Sequence, residues 1–509
     1  MGNEIYQSKP INYFSDYTFK IKNDLFSNDI GEKIKITTSL NLCIPGASYQ
    51  IIAYSKINGN KTLLIQSEKI KSNNDQNIIF QTPIIIEYFF EKEQSLIFDV
   101  IKFKSLTCEV LSYETTIGQI VGSRNNTLNK QINLLNNEHI ILKAEKINES
   151  EKFLDIHFII ESNKPIKFKK KKNKIFVLIK NKIDLYLTEA LKNNGNFSPI
   201  HIPLNLLKPN FSLIFFNSKN EIIKVETTTL NDIQNFKTTI NLSNKKLLYL
   251  TSDSLIRNSY SLMDYLQLGI QIKLSIAIDF TKSNLNPKEK ESLHNISNNN
   301  INDYENIIIS CGNILSYYNY EQYFNVFGFG AKIKKNNKIS HCFPINFNEE
   351  NPNIYTIDNV IKSYHNCLNE IELSEPTYFS PIINKVNEIV KDDDNNFKYN
   401  ILMILTDGIV HDIKNTINSI IESSFLPLSI IIIGIGNEDF NKMKKLNFDE
   451  DFLNNKKVNF AERDYVQFIE FNNYRNNSMK LIEEVLGEIP KQVVKYYKYK
   501  RLFPVNLKN

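Results

Sequence analysis

Two long stretches of the chain alternate apolar and polar residues in short runs, which are separated by turns rich in Asn, Ser and Gly. Such alternation is typical of half-buried strands. The two stretches, about 33–146 and 153–250, therefore predict two antiparallel β-sandwiches in tandem. The runs that indicate strands are Lys33–Thr38, Ser48–Tyr54, Lys61–Ile65, Asn77–Phe80, Ser95–Val100 and Ile140–Ala144, followed by Phe153–Ile160, Ile175–Ile179, Phe211–Phe216, Ile222–Thr228 and Lys246–Leu250.

After Ser259 the pattern changes to continuous apolar runs that alternate with segments of helical period. Alternation of strands and helices predicts a mostly parallel sheet with helices on both faces, a doubly wound α/β domain. The predicted strands are Ile272–Ile278, Asn325–Phe329, Ile401–Leu405 and Leu428–Ile433, and the predicted helices are Asp303–Tyr318, Ile357–Glu370, Pro381–Val390, Asp412–Ser424 and Met479–Val485.

These patterns divide the chain into five parts. We predict a leader over 1–30, a first β-sandwich over 31–148, a second over 150–252, the α/β domain over 258–478, and a C-terminal helix with a basic tail over 479–509. The tail Lys491–Arg501 interleaves lysines with tyrosines. It is interpreted as a solvated helix end, with a second basic contact as the alternative.

Composition narrows the class of protein. The 509 residues carry a net charge of only +5, so the chain as a whole is not a polycation that binds nucleic acid. The five cysteines are scattered without a Cys-x-x-Cys pair, which favours a reducing cytoplasm over a disulfide or zinc framework. Met1–Pro10 is polar, and no apolar run approaches the roughly 20 residues of a membrane span. We therefore expect a cytoplasmic protein whose membrane contacts are peripheral.

Oxygen-bearing side chains follow two of the predicted parallel strands. Asp279-x-Thr281-x-Ser283 comes after one strand and Thr406-Asp407-Gly408 after another, while Thr377 lies in a loop between them. The carboxyl ends of parallel strands meet at one edge of a sheet, and hard oxygen ligands suit Mg²⁺ or Mn²⁺. A hydroxyl-rich turn that caps a helix is the alternative for the first motif. The full set resembles the metal-ion-dependent adhesion site of von Willebrand factor A domains.

Longer runs of residues extend this resemblance. Two sandwiches followed by such a domain resemble the copines, and the residues that carry the likeness include Ser261-Leu-Met-Asp-Tyr265, Ile276-Ala-Ile-Asp-Phe-Thr281, Ser292-Leu-His294, Gly328-Phe-Gly-Ala-Lys332, Thr406-Asp-Gly408 and Ala461-Glu-Arg-Asp464. The resemblance implies two C2-type sandwiches, calcium-dependent binding of phospholipids, and a role without catalysis as an adaptor recruited to the plasma membrane or another cytoplasmic membrane face. It also implies that the A-type domain's metal accepts an acidic residue from a protein partner.

The sandwich loops depart from the family where calcium ligands are expected, because each calcium ion needs about six to eight oxygens. Ser39–Ser48 contains no acid, and Lys102 stands where the first aspartate of the partner loop is expected. In the second sandwich Lys164–Lys174 is rich in lysine, and Phe215–Glu221 holds one acid at its end. We therefore expect neither sandwich to bind calcium tightly through these loops.

Lysines offer a different route to membranes. Each basic residue close to an anionic leaflet contributes about 1 kcal/mol of affinity, and the loop of the second sandwich supplies Lys167, Lys169, Lys170, Lys171, Lys172 and Lys174. A solvated loop is the alternative. Gly2 follows Met1 as in N-myristoylated proteins, although Tyr6 replaces the usual hydroxyl residue, and an ordinary disordered tail is the alternative there. One acyl chain anchors a protein only marginally, so a second signal is required.

Catalytic functions are not supported by the motifs. Asp279-x-Thr281 lacks the second aspartate of aspartyl-phosphate enzymes, and Gly328-x-Gly330 and Gly434-x-Gly436 each lack the third glycine of a dinucleotide fingerprint. We predict a protein that is not an enzyme. The rival to a lipid-binding adaptor is an interaction scaffold, in which the metal site recruits the partner and the sandwiches bind little lipid.

Overall fold

The computed structural model describes residues 31–147 without 58, 74–75, 104–106 and 134–136, and residues 260–504 without 297–300, 394–396, 409, 445–464 and 501. Between these ranges it describes only segments of 152–258. The chain divides into two compact units. One contains residues 148–259, and the other joins residues 31–147 to residues 260–509.

The first region is built from two antiparallel sheets. In one sheet the strand order is β5-β1-β10-β9 with β6 also paired to β1, and in the other it is β3-β2-β7-β8 with β4 also paired to β2. The fold class predicted for this region is therefore confirmed. The strands are β1 Glu32–Asn41, β2 Ser48–Ile57, β3 Asn60–Gln66, β4 Ile70–Lys71, β5 Ile78–Ile79, β6 Ile84–Tyr88, β7 Ser95–Phe103, β8 Cys108–Thr116, β9 Thr127–Asn133 and β10 Glu138–Lys146.

Alternation of buried and exposed side chains along each strand explains why the two sheets pack face to face. In β1, Ile34 and Ile36 are buried while the lysines beside them are not, so one face of the strand joins the core. A short helix, α1 (Ile117–Gly122), follows β8, and the Thr116 side chain caps it by accepting a hydrogen bond from the Gln119 N–H. This helix carries the chain from the edge of one sheet to the other.

The second region forms three antiparallel sheets, with strand orders β15-β11-β20, β12-β19-β18 and β14-β13-β16-β17. A short helix, α2 (Leu230–Gln234), follows β17. The strands are β11 Lys152–Ile156, β12 Phe158–Ser162, β13 Ile175–Lys180, β14 Asp184–Leu187, β15 Ile200–Pro203, β16 Asn210–Asn217, β17 Ile222–Thr229, β18 Thr239–Asn241, β19 Lys246–Leu250 and β20 Leu255–Asn258.

The C-terminal domain is a mixed sheet flanked by helices, as predicted. Five of its strands run parallel in the order β22-β21-β28-β29-β30, and β25 and β26 add antiparallel to β22. The strands are β21 Gln271–Asp279, β22 Tyr323–Phe329, β23 Ala331–Ile333, β24 Lys338–Ser340, β25 Phe343–Pro344, β26 Asn353–Tyr355, β27 Ile371–Leu373, β28 Lys398–Thr406, β29 Leu428–Gly434 and β30 Val466–Glu470. The helices are α3 Leu262–Leu266, α4 Asp303–Ser316, α5 Ile357–Glu370, α6 Ser380–Asp392, α7 Ile413–Ser423, α8 Asn441–Lys444, α9 Ser478–Leu486 and α10 Ile489–Tyr499.

The helix α10 changes the interpretation of the basic tail. Val493 and Tyr497 are buried in the core, and the Gln492 side chain accepts a hydrogen bond from Ser429 at 2.5 Å. The interpretation of this segment as a solvated helix end is therefore wrong for one of its faces. Periodic apolar residues in a lysine-rich segment bury one side and leave the lysines on the other.

No helix among the described residues is long and apolar enough to span a bilayer.

The first sandwich and the C-terminal domain share one continuous core. Tyr318, just after α4, inserts its ring between sandwich residues: its hydroxyl lies 2.6 Å from the Tyr88 hydroxyl, and its ring centroid lies 4.5 Å from that of Phe90. At a second contact, the Lys146 ammonium bonds the Asp264 carboxylate at 2.8 Å. These two parts therefore belong to one compact unit.

Candidate metal centre

Asp279, the last residue of β21, is completely buried at the carboxyl edge of the parallel sheet. Its Oδ1 accepts hydrogen bonds from the Thr281 N–H at 2.9 Å and from the Thr281 hydroxyl at 2.6 Å. Its Oδ2 accepts one from the Thr406 hydroxyl at 2.5 Å. The carboxylate is therefore fixed in orientation by the loop that follows it and by the end of the adjacent strand.

A chain of oxygen atoms links this carboxylate to a second one. The Thr281 hydroxyl lies 3.0 Å from the Ser283 hydroxyl, which in turn donates to Asp407 Oδ1 at 2.9 Å. Asp407 directly follows β28, the neighbour of β21, and is 3% exposed. Two acids that are far apart in the chain thus come together because parallel strands end at the same edge of the sheet.

Thr377 approaches the same place from the loop before α6. It is buried, and a Cβ atom placed on Gly408 would lie 3.4 Å from the Thr377 hydroxyl and 3.8 Å from the Ser283 hydroxyl. Both hydroxyls therefore flank the backbone of Gly408. Because glycine has no side chain, the space between these two hydroxyls and Asp407 stays free. A larger side chain at position 408 would occupy part of it.

His411 and Asp412, which follow β28, hold the loop that carries Thr377 against the loop that carries Asp407. The Thr377 N–H donates to His411 Nδ1 at 3.2 Å, and the His411 N–H donates back to the Thr377 carbonyl at 2.9 Å. The Asp412 carboxylate accepts the N–H groups of Phe379 and Ser380, each at 3.0 Å, at the start of α6. These bonds set the position of the Thr377 hydroxyl without involving it directly.

Electrostatics marks both carboxylates as unusual. Burial raises the pKa of Asp279 above its ordinary value, and burial together with the nearby Asp279 raises that of Asp407. Neither carboxylate forms an ion pair with a lysine, arginine or histidine among the residues that the structure describes. A divalent cation would stabilise the ionised form of both acids at once, which fits the donor set.

A buried layer of aromatic and amide side chains supports the loop from below. His294 Nε2 lies 2.8 Å from the Asp279 carbonyl, so Nε2 carries the proton, and Nδ1 accepts from the Tyr364 hydroxyl at 2.7 Å. Burial lowers the pKa of His294 to about 3, so the ring is neutral. The Tyr304 hydroxyl donates to Asn284 Oδ1 at 2.7 Å, and the Asn284 N–H donates to the Thr281 carbonyl. These hydrogen bonds fix the backbone on both sides of the Thr281 side chain.

All five residues predicted as ligands are therefore brought together: Asp279, Thr281, Ser283, Thr377 and Asp407. Metal binding by them stays a prediction. Thr406 was not predicted to hold Asp279, although it belongs to the Thr-Asp-Gly motif, because a strand-end threonine gives no signal of where its hydroxyl points. His294 and His411 have no ligand spacing, and no role was predicted for them; each acts by a hydrogen bond to a backbone group of the site.

The six lysines predicted to bind membranes, Lys167, Lys169, Lys170, Lys171, Lys172 and Lys174, and the predicted lipidation site Gly2 all lie outside the described residues. Lys102, which stands in the place of a calcium ligand, is described and is completely buried.

One family model matches the C-terminal part of the chain. Residues 292–505 match the family model described as Copine. Among solved structures, the calcium-bound pair of C2 domains of Extended-Synaptotagmin 2 matches at 10% identity and a TM-score of 0.18, covering 45% of this chain and 99% of that one. The VWA domain of SpRpn10 matches at 11% identity and a TM-score of 0.26, covering 40% of this chain and 87% of that one.

A third solved structure, the manganese-loaded TRAP protein of Plasmodium vivax, matches at 12% identity and a TM-score of 0.26, covering 42% of this chain and 73% of that one. Scores this low support no conclusion about the present chain. The resemblance to copines is confirmed by the family match over residues 292–505.

Proposed function

We propose, on the premise that this chain carries a copine domain, that it is a peripheral membrane protein which binds anionic phospholipid and recruits a protein partner, without catalysis of its own. The observation that carries the proposal is the carboxyl edge of the parallel sheet in the C-terminal domain, where two buried acids and three hydroxyls converge. The second region and Gly2 contribute the membrane contact, on the sequence argument alone.

The metal centre is the partner-binding element. Asp279, Thr281, Ser283, Thr377 and Asp407 would hold Mg²⁺ or Mn²⁺, since all five offer hard oxygen atoms. The two carboxylates balance the charge of a divalent cation, and five protein oxygens leave one position of the octahedral shell of Mg²⁺ open. The acidic side chain of a partner would complete its coordination, so the site recognises an exposed Asp or Glu.

The membrane contact is proposed to depend on charge rather than on calcium. The lysines of 167–174 supply up to six positive charges, and the loops where calcium ligands are expected hold few acids. The family's calcium dependence is therefore not carried over to this chain. Cytoplasmic faces of membranes, where anionic lipids concentrate, are the expected location.

Vesicle co-sedimentation tests the membrane contact. The full chain should bind vesicles of phosphatidylcholine and phosphatidylserine equally with calcium and with chelator, and lose binding at high salt. Each lysine contributes about 1 kcal/mol, so replacing Lys167, Lys169, Lys170, Lys171, Lys172 and Lys174 with glutamine should lower the partition coefficient more than roughly a hundredfold. The matched control replaces Lys491, Lys495, Lys498 and Lys500 with glutamine, and should bind like the parent.

Strict dependence on calcium in this assay would contradict the charge mechanism. Absence of binding in both buffers would favour the scaffold, in which the metal centre alone recruits the partner. If the control variant also loses binding, the C-terminal helix α10 is a second membrane contact.

Substitution of Asp279 tests the metal centre. Titration of the full chain with Mn²⁺, followed by calorimetry, should show one site that Asp279→Ala abolishes, because this buried carboxylate is the centre of the hydrogen bonds from the Thr281 and Thr406 hydroxyls. Asp407→Asn keeps the shape of the side chain and should also weaken binding by more than the roughly 10–100-fold that the loss of an outer-sphere partner costs. Asp392→Ala, an exposed acid at the end of α6, is the control. Unchanged Mn²⁺ affinity in Asp279→Ala would refute the site.

A further inference from the structure

The first sandwich buries a lysine completely. Lys102 lies near the end of β7, and its side chain points inward with those of Phe98 and Val100, at 0% exposure. Lysine is almost never fully buried unless its charge is paired. A buried ammonium in a small β-sandwich therefore needs a partner that compensates its lost hydration.

That partner is Glu138, which is itself buried at the start of β10. Lys102 Nζ lies 2.7 Å from Glu138 Oε1, which also accepts from the Tyr49 hydroxyl at 2.5 Å. Glu138 Oε2 accepts from the Asn133 side-chain amide at 2.9 Å. The Tyr49 oxygen in turn accepts the Ile44 N–H at 2.9 Å. Both carboxylate oxygens are thus satisfied, as a buried pair requires.

The cluster sits where the loops of the sandwich converge. Asn41 at the end of β1 pairs with His139, and Ser48 at the start of β2 pairs with Phe103 at the end of β7. The turn over 42–47, the start of β10 and the end of β7 therefore lie at one end of the sandwich. The hydrogen bonds of the cluster join four strands, β2, β7, β9 and β10, and the backbone of the 42–47 turn.

We propose that this end of the first sandwich is a cation site which the chain fills with its own Lys102. The ammonium neutralises Glu138, and Glu138 in turn holds Tyr49, whose hydroxyl ties the turn over 42–47 to the strand ends. A bound metal ion performs the same task between loops rich in acids. The first sandwich consequently holds its loop geometry without calcium. A divalent cation enters only when the lysine side chain is removed and space is left beside Glu138.

Two substitutions of Lys102 distinguish charge from space. Both are made in the full chain carrying Asp279→Ala, so that the metal centre of the C-terminal domain does not respond to calcium. Lys102→Ala removes the charge and leaves a polar cavity, whereas Lys102→Met removes the charge and fills most of the space. Each should lower the unfolding temperature by roughly 6–20 °C, because one buried charge is left unpaired.

Calcium should then restore Lys102→Ala alone. Addition of millimolar calcium should raise the unfolding temperature of Lys102→Ala and leave Lys102→Met and the parent unchanged. Combining Lys102→Met with Glu138→Gln removes both charges and should recover much of the stability that each single change loses. If the single variants fail to fold, a soluble and folded double variant still supports the pairing.

Three results would overturn the assignment. A parent chain stabilised by calcium in the Asp279→Ala background would show that a metal site coexists with Lys102. A Lys102→Met variant as stable as the parent would show that the Lys102–Glu138 pair does not contribute to stability. A double variant that is no more stable than Lys102→Met would show that Glu138 is not the group that Lys102 neutralises.

Discussion

Replacing Gly122 with alanine should destabilise the whole unit formed by the first sandwich and the C-terminal domain. Gly122 ends α1, and a Cβ atom there would lie 1.9 Å from the Tyr317 carbonyl oxygen and 2.5 Å from its carbonyl carbon. These are backbone atoms, so no side-chain rotation relieves the clash. Overpacking of this kind costs about 3 kcal/mol of the free energy of unfolding, at the upper end of the usual range.

In urea unfolding, Gly122→Ala should have a lower midpoint than the parent. The substitution should also loosen the contact between the first sandwich and the C-terminal domain. Tyr318, the next residue after Tyr317, donates its hydroxyl to the Phe90 carbonyl at 3.3 Å, and its ring packs on Phe90. Displacing the backbone at Tyr317 moves this side chain out of the sandwich. Limited proteolysis should then cut between the parts faster than in the parent.

Two neighbours on the same helix provide the controls. Gln119 is exposed and its side chain accepts one hydrogen bond, from the Thr115 hydroxyl at 2.7 Å, so Gln119→Ala should cost about 1 kcal/mol, well below Gly122→Ala. A Cβ atom on Gly118 would meet the Tyr317 ring at 2.7 Å, a side chain that can turn aside, so Gly118→Ala should cost less than Gly122→Ala. Equal stability of Gly122→Ala and the parent would mean that the two parts do not approach as closely as the structure shows.

Replacing Gly330 with alanine should weaken metal binding from outside the ligand set. Gly330 has a left-handed backbone with φ of 74°, and a Cβ atom there would lie 2.3 Å from the Thr281 γ-methyl group. Threonine is short and β-branched, so its methyl and hydroxyl groups move together. The substitution therefore displaces the Thr281 hydroxyl, and we expect Mn²⁺ affinity to fall at least about tenfold, in the range found for groups that orient ligands.

A second glycine separates this effect from backbone strain. Gly269 also has a left-handed backbone, with φ of 89°, but a Cβ atom there would meet nothing within 4 Å. Gly269→Ala should carry the strain cost of about 1–2 kcal/mol and leave Mn²⁺ affinity unchanged. Full Mn²⁺ affinity in Gly330→Ala would contradict a ligand role for Thr281.

Local patterns were sufficient for much of the architecture. The alternation in Ser48–Tyr54 and Ser95–Val100 predicts strands that the structure extends to Ile57 and Phe103, because backbone pairing with β3 and β8 continues as far as the turns. The helix Ile357–Glu370 has the predicted bounds. Weaker signals were missed: β8, which lies at the edge of its sheet, has few buried residues, and its sequence therefore has little of the apolar alternation that marks a strand.

The metal motif could be predicted from the sequence because its acids follow recognisable apolar strands. Asp279 and Asp407 follow long apolar strands, and parallel strands in such sheets place their carboxyl ends together. Nothing local indicated which side chains would fix them, so Thr406, His294 and His411 emerge only from the packed structure. A hydroxyl or an imidazole carries no signal of its partner when that partner is a backbone group or lies on another strand.

The sequence by itself determined the order of elements, the strand-end acids and hydroxyls, and the scarcity of acids in the sandwich loops, because periodicity and composition are properties of short segments. Tertiary structure alone decided that Lys102 pairs with Glu138, 36 positions away, and that Tyr318 enters the first sandwich 230 positions from Tyr88. Such pairs depend on how sheets and helices pack, and burial rather than spacing selects them. In the sequence Lys102 is only a residue that replaces an expected calcium ligand. In the folded chain its ammonium group supplies the positive charge beside Glu138.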